Sequence, residues 1–308
     1  MAYNAGVVKW QGRYIMAYRR EWRDEQRQFQ SIMHWAFSDD GVHFEPHDRP
    51  LQIIDYSTEN TRAYDPRLTV IDNKLYMCFA IDTAHGIRGG VAVTDGDLWD
   101  DWRILGVSAP DNRNMVLFPE RINDRLARLE RPFPMYGRYG KQPIEAFDCW
   151  YSDSADGADW GGHELVIGWD HVPWVNNKLG PAAPPIKTDR GWLTTFHGVI
   201  KDDDNPLPND DVAPRTKQYL AGLMLLDLEQ PWKVVGLCRD PLLVPNTDYE
   251  KIGYRGHVIF PGGMLLEPDG QVKIYYGAAD TVECLATAQL NDLLTLCEPC
   301  HIDIPRLS

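Results

Sequence analysis

The chain alternates short apolar runs with tight polar turns, and five times a pair of such runs is joined by residues suited to a hairpin. The pairs are NAGVVKWQGRYIMAYRRE from Asn4, DPRLTVIDNKLYMCFAID from Asp65, FPERINDRLARLERPF from Phe118, PPIKTDRGWLTTFHG from Pro184 and VIFPGGMLLEPDGQVKIYYGAAD from Val258. Their turns fall at Gln11-Gly12, Asp72-Asn73, Asn123-Asp124, Asp189-Arg190-Gly191 and Asp269-Gly270. Gly, Asn and Asp accept the backbone angles of tight hairpins, so each pair is expected to be strand, turn, strand. A third apolar run follows each pair, ending in related phrases in the first three units: AFSDDGVHF, AVTDGDLW and WYSDSADGADW. In units four and five the corresponding runs, LMLLDLEQPWKV and ATAQLNDLL, lead into apolar residues expected to form an outer strand.

With Ser38, Thr94, Ser152, Asp227 and Gln289 as markers, the units repeat at intervals of 56, 58, 75 and 62 residues. About four strands per unit at that period predicts an all-β, five-bladed β-propeller, one domain over residues 1–308, in preference to an irregular β-sandwich. The polar stretch KDDDNPLPNDDVAPRTK, from Lys201 to Lys217, is expected as a rim loop within unit four.

In a propeller the innermost strands line the central channel, so ionisable residues recurring at their ends converge on one funnel. Asn4, Arg19, Arg20, Asp65, Arg67, Asp82, Glu120, Glu130, Arg131, Lys187, His197, His257 and Asp280 all recur near such ends. Burying so many charges without a ligand is costly, which points to a polar binding site.

Charge and motifs narrow the chemistry. The net charge of −14 argues against nucleic acid or an anionic membrane as partner. Phosphate-loop, H-E-x-x-H and G-x-S-x-G motifs are absent from the sequence. The N-terminus enters the first strand without a basic flank and long apolar stretch, so a cytoplasmic protein is expected. The six cysteines are spread through strand-like runs and read as reduced core residues, and Cys297-Glu-Pro-Cys300 lacks the second pair a zinc site needs. No metal or organic cofactor is expected. The remaining kit of carboxylates, arginines, lysine and aromatic rings suits sugars and phosphate.

Eight phrases carry a family resemblance: NAG near Asn4, TRAYDPR from Thr61, NRNMVLFPERI from Asn112, LERPF from Leu129, GPAAPPIKTDRGWLTTFHG from Gly180, LLDLEQPWKVVG from Leu225, YEKIGYRGHVIFPGG from Tyr249 and IYYGAADT from Ile274. Together they resemble the mannoside phosphorylases of glycoside hydrolase family 130, in the same order over nearly the whole chain. The resemblance implies a five-bladed propeller and a reversible reaction in which inorganic phosphate, a co-substrate, cleaves a β-mannoside with inversion to give α-mannose 1-phosphate and a shortened sugar. Phosphate is already a nucleophile, so no base is required, whereas an inverting hydrolase needs a second carboxylate to activate water.

By the resemblance, Asp65 is the catalytic acid, passing its proton through the mannose 3-hydroxyl, and it must be kept protonated by burial or by a nearby anion. Arg113, Arg131 and Lys187 match the phosphate-binding cations, a set that hydrolytic members lack. Asn4, Arg19 and Asp280 match residues holding the mannose, while Tyr64 would cover the leaving sugar and Tyr219 and His257 lie in the same region. His197 is either a core histidine or a ligand. The tyrosine before Asp65 resembles the subgroup acting on β-1,4-mannosides, with mannose, N-acetylglucosamine or a longer oligosaccharide as acceptor and a homo-oligomer left open. Two other readings are a hydrolase using Asp65 with Glu120 or Glu130 as base, and a propeller that binds carbohydrate without turnover.

Overall fold

A computed structural model describes residues 1–53, 60–99, 101–133, 147–205, 216–302 and 304. They form five antiparallel sheets arranged as the blades of a propeller. Blade one contains β1 (Ala2–Trp10), β2 (Arg13–Arg23), β3 (Phe29–Ser38) and β4 (Glu45–Leu51), and blade two contains β5 (Asn60–Ile71), β6 (Lys74–Thr83), β7 (Gly86–Thr94) and β8 (Arg103–Val107). Blade three contains β9 (Asn112–Leu117), β10 (Leu126–Pro132), β11 (Cys149–Ser154) and β12 (Gly161–Ile167). In blade four, β13 (Leu179–Pro181) and β14 (Ile186–Thr188) both pair with β15 (Gly191–Lys201), followed by β16 (Lys217–Leu226) and β17 (Val234–Leu237). The short helix α1 (Asp248–Lys251) leads to blade five, β18 (Ile259–Leu266), β19 (Gln271–Ala278) and β20 (Val282–Gln289).

All five sequence-predicted hairpins are present, each turning at the expected residues. Blade five departs from expectation at its outer edge. Its last apolar run is a helix, α2 (Leu290–Leu296), and β21 (Glu298–Pro299) crosses back to pair with β17 of blade four. Leu293 and Leu294 of α2 are buried against Leu225, Ile274 and Cys297, so the helix caps the groove between blades four and five with the apolar face a strand would have supplied. The third unit's marker also shifts. Ser154, rather than Ser152, is the counterpart of Ser38, because each hydroxyl accepts the amide three residues on, Gly41 at 2.9 Å and Gly157 at 2.8 Å.

The core lies between blades. Central strands are covered on both faces, which explains why YIMAY in β2 and LYMCFAI in β6 read as continuous apolar runs rather than alternating ones. Trp35, Met33 and Phe79 fill the space between blades one and two, and Phe118, Trp192 and Phe196 that between blades three and four. The six cysteines are unpaired thiols, four of them buried. Ten residues of the predicted rim loop, 206–215, lie outside the described residues, and the rest of it joins β15 to β16. Among the described residues no helix is long and apolar enough to cross a membrane.

The hub is tied by Arg67. This fully buried guanidinium donates to the carbonyls of Asn4 (3.2 Å), Pro66 (2.8 Å), Ala182 (2.8 Å) and Pro261 (3.4 Å), which belong to blades one, two, four and five.

Candidate active site

Three inner strands reach the hub by the same local device. In β1, β5 and β9 one extra residue interrupts the register with the neighbouring strand, between Tyr3 and Gly6, between Tyr64 and Arg67, and opposite Leu129 to Arg131. Each bulge contains a residue at positive φ: Asn4 (55°), Asp65 (53°) and Asn114 (58°). Among residues with a side chain, Asn and Asp adopt this left-handed conformation at least cost, so the types that tolerate the bulge also bring polar chemistry to its tip. His257 (58°) and Asp280 (49°) share the conformation at the ends of blade five's strands.

These residues open onto one solvent-accessible cavity at the hub. Its lining includes Asn4, Arg19, Arg62, Tyr64, Asp65, Arg113, Asn114, Arg131, Tyr219, Arg255, Phe260 and Asp280. Five arginines face two aspartates there, in a protein whose net charge is −14. The excess of cations is local and favours an anionic ligand.

Asp65 sits at the centre. Its Oδ1 accepts from Asn4 Nδ2 at 3.0 Å and from the Arg19 guanidinium at 3.3 Å. Burial alone would raise its pKa, but Arg19, Arg67, the Asn4 hydrogen bond and Arg113 outweigh that and hold it below the ordinary value. The expectation of a protonated acid is therefore not met by the free pocket, because the surrounding cations stabilise the carboxylate. Arg19 is itself fixed by Glu21, which Tyr3 also contacts.

Tyr64 departs from its expected part. The Arg19 and Arg62 guanidiniums pack 5.0 and 4.5 Å from its ring centroid, and its hydroxyl donates to Asp82 at 2.9 Å while accepting from Arg113 at 3.4 Å. It contributes a polar tip and a support for cations rather than an open platform for a sugar.

Beside Asp65 lies a cluster of cations. Arg113 and Arg131 pair across β9 and β10, Arg131 buried and Arg113 half-buried. Arg131 donates to His197 Nε2 at 2.7 Å, and the Nε atoms of both arginines are buried without a partner among the described residues. Burial and the neighbouring Arg113 charge push the Arg131 pKa down to about 9. His197, well below its usual pKa through burial and the Arg131 charge, is neutral and accepts. The close fit requires Gly180, since a Cβ there would stand 2.7 Å from both Arg131 Cδ and His197 Cε1. Asp65 is the carboxylate nearest in charge to both guanidiniums and is already held by Arg19 and Asn4, so two adjacent cations with buried, unpartnered Nε atoms favour a further anion.

Lys187 is not part of this group. It is exposed, with 49 % of its side chain accessible, and pairs at 2.5 Å with the equally exposed Glu120. Its place opposite Trp192, next to the β14–β15 turn, puts it at the end of the hairpin remote from β13, which runs beside His197. The buried lysine of blade four is Lys178, whose Nζ lies 5.5 Å from the Tyr219 ring and 5.9 Å from the Phe147 ring. Burial would raise the Tyr219 pKa, but Lys178, Arg131 and Arg113 together draw it below its ordinary value. Lys178 thus shares one electropositive cluster with the two arginines.

The other expected residues divide. Asn4, Arg19, Tyr219 and Asp280 line the cavity, Asp280 facing Arg255 at 3.5 Å. His257 is one residue from the lining, and its carbonyl accepts the Tyr219 amide at 3.0 Å. Glu130 is buried away from the cavity among Arg128, Asn112 and His163. Neither Glu120 nor Glu130 can serve as a base for water in this cavity. Asn114, Arg62 and Arg255 were not singled out from sequence.

Comparison with known proteins agrees with the fold. The family model described as beta-1,4-mannooligosaccharide phosphorylase matches residues 1–299. The chain belongs to glycoside hydrolase family 130. It is 31 % identical to a β-1,4-mannooligosaccharide phosphorylase of Ruminococcus albus, over 95 % of this chain and 83 % of that protein. It is also 31 % identical to a 1,2-β-oligomannan phosphorylase of Thermoanaerobacter sp., over 85 % of this chain and 80 % of that protein. Among solved structures, a β-1,2-mannobiose phosphorylase from Listeria innocua superposes with a TM-score of 0.80 at 24 % identity, covering 96 % of this chain and 91 % of that one. This last likeness is one of fold. The family 130 assignment agrees with the expectation from the eight phrases.

Proposed function

We propose that this family 130 protein is an inverting phosphorylase that cleaves a β-mannoside, β-1,4-linked, with inorganic phosphate to give α-mannose 1-phosphate and a shortened sugar. The carrying observation is the adjacent pair Arg113 and Arg131, whose Nε atoms are buried without a partner among the described residues, beside Asp65.

Phosphate bound by these forks, with Lys178 reinforcing the field, has one oxygen free to attack the anomeric carbon from the face opposite the leaving sugar. As that C–O bond forms, the bond to the glycosidic oxygen breaks and that oxygen takes the Asp65 proton, relayed by the mannose 3-hydroxyl. Phosphate also resolves the protonation of Asp65. Its negative charge offsets the cations that hold the carboxyl ionised, so the acid gains its proton when the nucleophile arrives. Asn4, Arg19 and Asp280 hold the mannosyl hydroxyls, and Arg62 and Arg255 flank the leaving sugar.

Hydrolysis has less support, because the carboxylates proposed as its base lie outside the cavity. The β-1,4 preference follows the description of the family model, while relatives of equal identity act on β-1,2 linkages.

The test supplies α-mannose 1-phosphate with mannose, N-acetylglucosamine, glucose and mannooligosaccharides and measures released phosphate, followed by linkage analysis of the product. Phosphate release with a β-1,4 product is expected. Sugar release from mannosides at the same rate without phosphate would overturn the reading.

A further inference from the structure

One buried carboxyl near the hub has no part in the chemistry above. Glu283, on β20, pairs across the sheet with Gly277. Gly277 has no side chain, and a Cβ there would stand 2.2 Å from Asn4 Oδ1, so the Asn4 amide lies directly on the glycine. Through the same gap Glu283 reaches β1 across the seam where blade five meets blade one. Its Oε2 accepts the Ala5 amide at 3.0 Å, and the Asn4 amide points to the same carboxyl.

Two consecutive amides turned to one acceptor by a left-handed residue form a nest. The nest exists only while Asn4 keeps its φ of 55°. That same conformation delivers Asn4 Nδ2 to Asp65 Oδ1 at 3.0 Å. The chain of contacts therefore runs from the Glu283 carboxyl to the bulge backbone, from there to the Asn4 side chain, and on to the acid.

We propose that Glu283 is a positioning residue, whose carboxyl fills the nest behind the β1 bulge and so locks Asn4 in the conformation that orients Asp65. The inference rests on the reading of Asp65 as the proton donor. Glu283 Oε1 is sealed from solvent without a partner among the described residues, although the residue as a whole keeps some exposure. Burial pushes its pKa up to about 8, with the Ala5 and Asn4 amides and Arg67 opposing and Asp65 adding to the rise, and Cys284 is its neighbour on β20. The raised pKa favours the neutral carboxyl as the acceptor, which a glutamine amide can copy.

The test compares wild type, Glu283→Gln and Glu283→Val. In Glu283→Val both acceptors are gone and Asn4 is free to relax, so kcat is expected to fall at least tenfold, a modest part of the roughly 100-fold or more that a positioned acid provides, with the KM for phosphate within twofold. Glu283→Gln is expected to restore kcat to within about threefold of wild type at pH 7, since amide and neutral carboxyl accept alike. A crystal structure of Glu283→Val is expected to show Asn4 outside the left-handed region, a result that needs no turnover.

Wild-type kcat in Glu283→Val, or Asn4 unchanged in its structure, would overturn the proposal. So would equal loss in both variants that tracks a common fall in Tm, the mark of a purely structural seam. The phosphate dependence of the wild-type rate tests the phosphorylase reading separately. The variant ratios can be read on mannoside cleavage with or without phosphate, since both need the acid.

Discussion

Replacing Arg131 by methionine should move function and stability in opposite directions. Arg131 is 1 % exposed, it donates to neutral His197, and its charge lies beside that of Arg113. Hydrogen bonds to charged groups contribute about 1.5–3 kcal/mol each. A phosphate losing a two-pronged guanidinium contact should therefore lose about 3 kcal/mol, roughly 150-fold in affinity. In the free protein the same change removes a buried cation whose desolvation draws its pKa down, and relieving it should stabilise on the order of the about 1–4 kcal/mol gained when buried ion pairs are replaced by apolar groups of similar volume. For a domain of this size that corresponds to a Tm increase of roughly 2 °C or more. The assay is initial-rate phosphorolysis with phosphate and mannoside varied independently, alongside thermal unfolding with and without phosphate. Expected are a phosphate KM raised roughly 100-fold or more, a mannoside KM changed by less than about threefold, and loss of the phosphate-dependent Tm shift. Lys187→Met is the control. Its exposed pair with Glu120 belongs to a class worth about 0–1 kcal/mol, and neither KM should move. Equal changes in both KM values for Arg131→Met, or a phosphate effect from Lys187→Met, would refute the phosphate-site assignment.

Asp65→Asn should abolish turnover in both directions while leaving circular dichroism unchanged, and near-normal activity would remove Asp65 from the mechanism. Phosphate binding should take up protons, because Asp65 is held ionised in the free pocket and regains its proton when the anion arrives; calorimetry in buffers of different ionisation enthalpy would show this as a buffer-dependent heat. Stability should decline as pH rises from about 4.5 to about 8, since an unfolded chain releases the Glu283 proton that the folded one retains; unfolding of Glu283→Gln should show a flatter limb over that window. Gly180→Ala should weaken phosphate binding more than mannoside binding and cost roughly 1–3 kcal/mol in urea unfolding, as the new methyl displaces Arg131 and His197.

The blades were legible because each is announced by turn residues with few conformational alternatives. Residues gathered from several blades, Asn4, Arg19, Asp65, Arg113, Arg131, Tyr219 and Asp280, do line one cavity. Lys187 failed because lying within the right hairpin does not specify which end of it. Asn4 and Asp65 precede their turns at Gln11 and Asp72 by seven positions, whereas Lys187 precedes Asp189 by only two. That spacing could have pointed to Lys178, far upstream of the same turn. Asn114 was missed because β9 begins earlier than the phrase taken as its strand, and the bulge that turns it inward leaves no periodic trace. The helix α2 is not distinguishable from a strand in the sequence, because seven residues with buried leucines satisfy either period.

Arg67 allows the hub to be charged without spending an acid on it. Its guanidinium is solvated by peptide dipoles contributed from four directions, much as water would surround a free ion, rather than by a carboxylate of its own. The floor of the funnel is thereby rigid and positive at once. Asp65, lying just above, is left with a proton to gain and give, and the rim can vary in length and chemistry without disturbing the bearing on which the wheel is mounted.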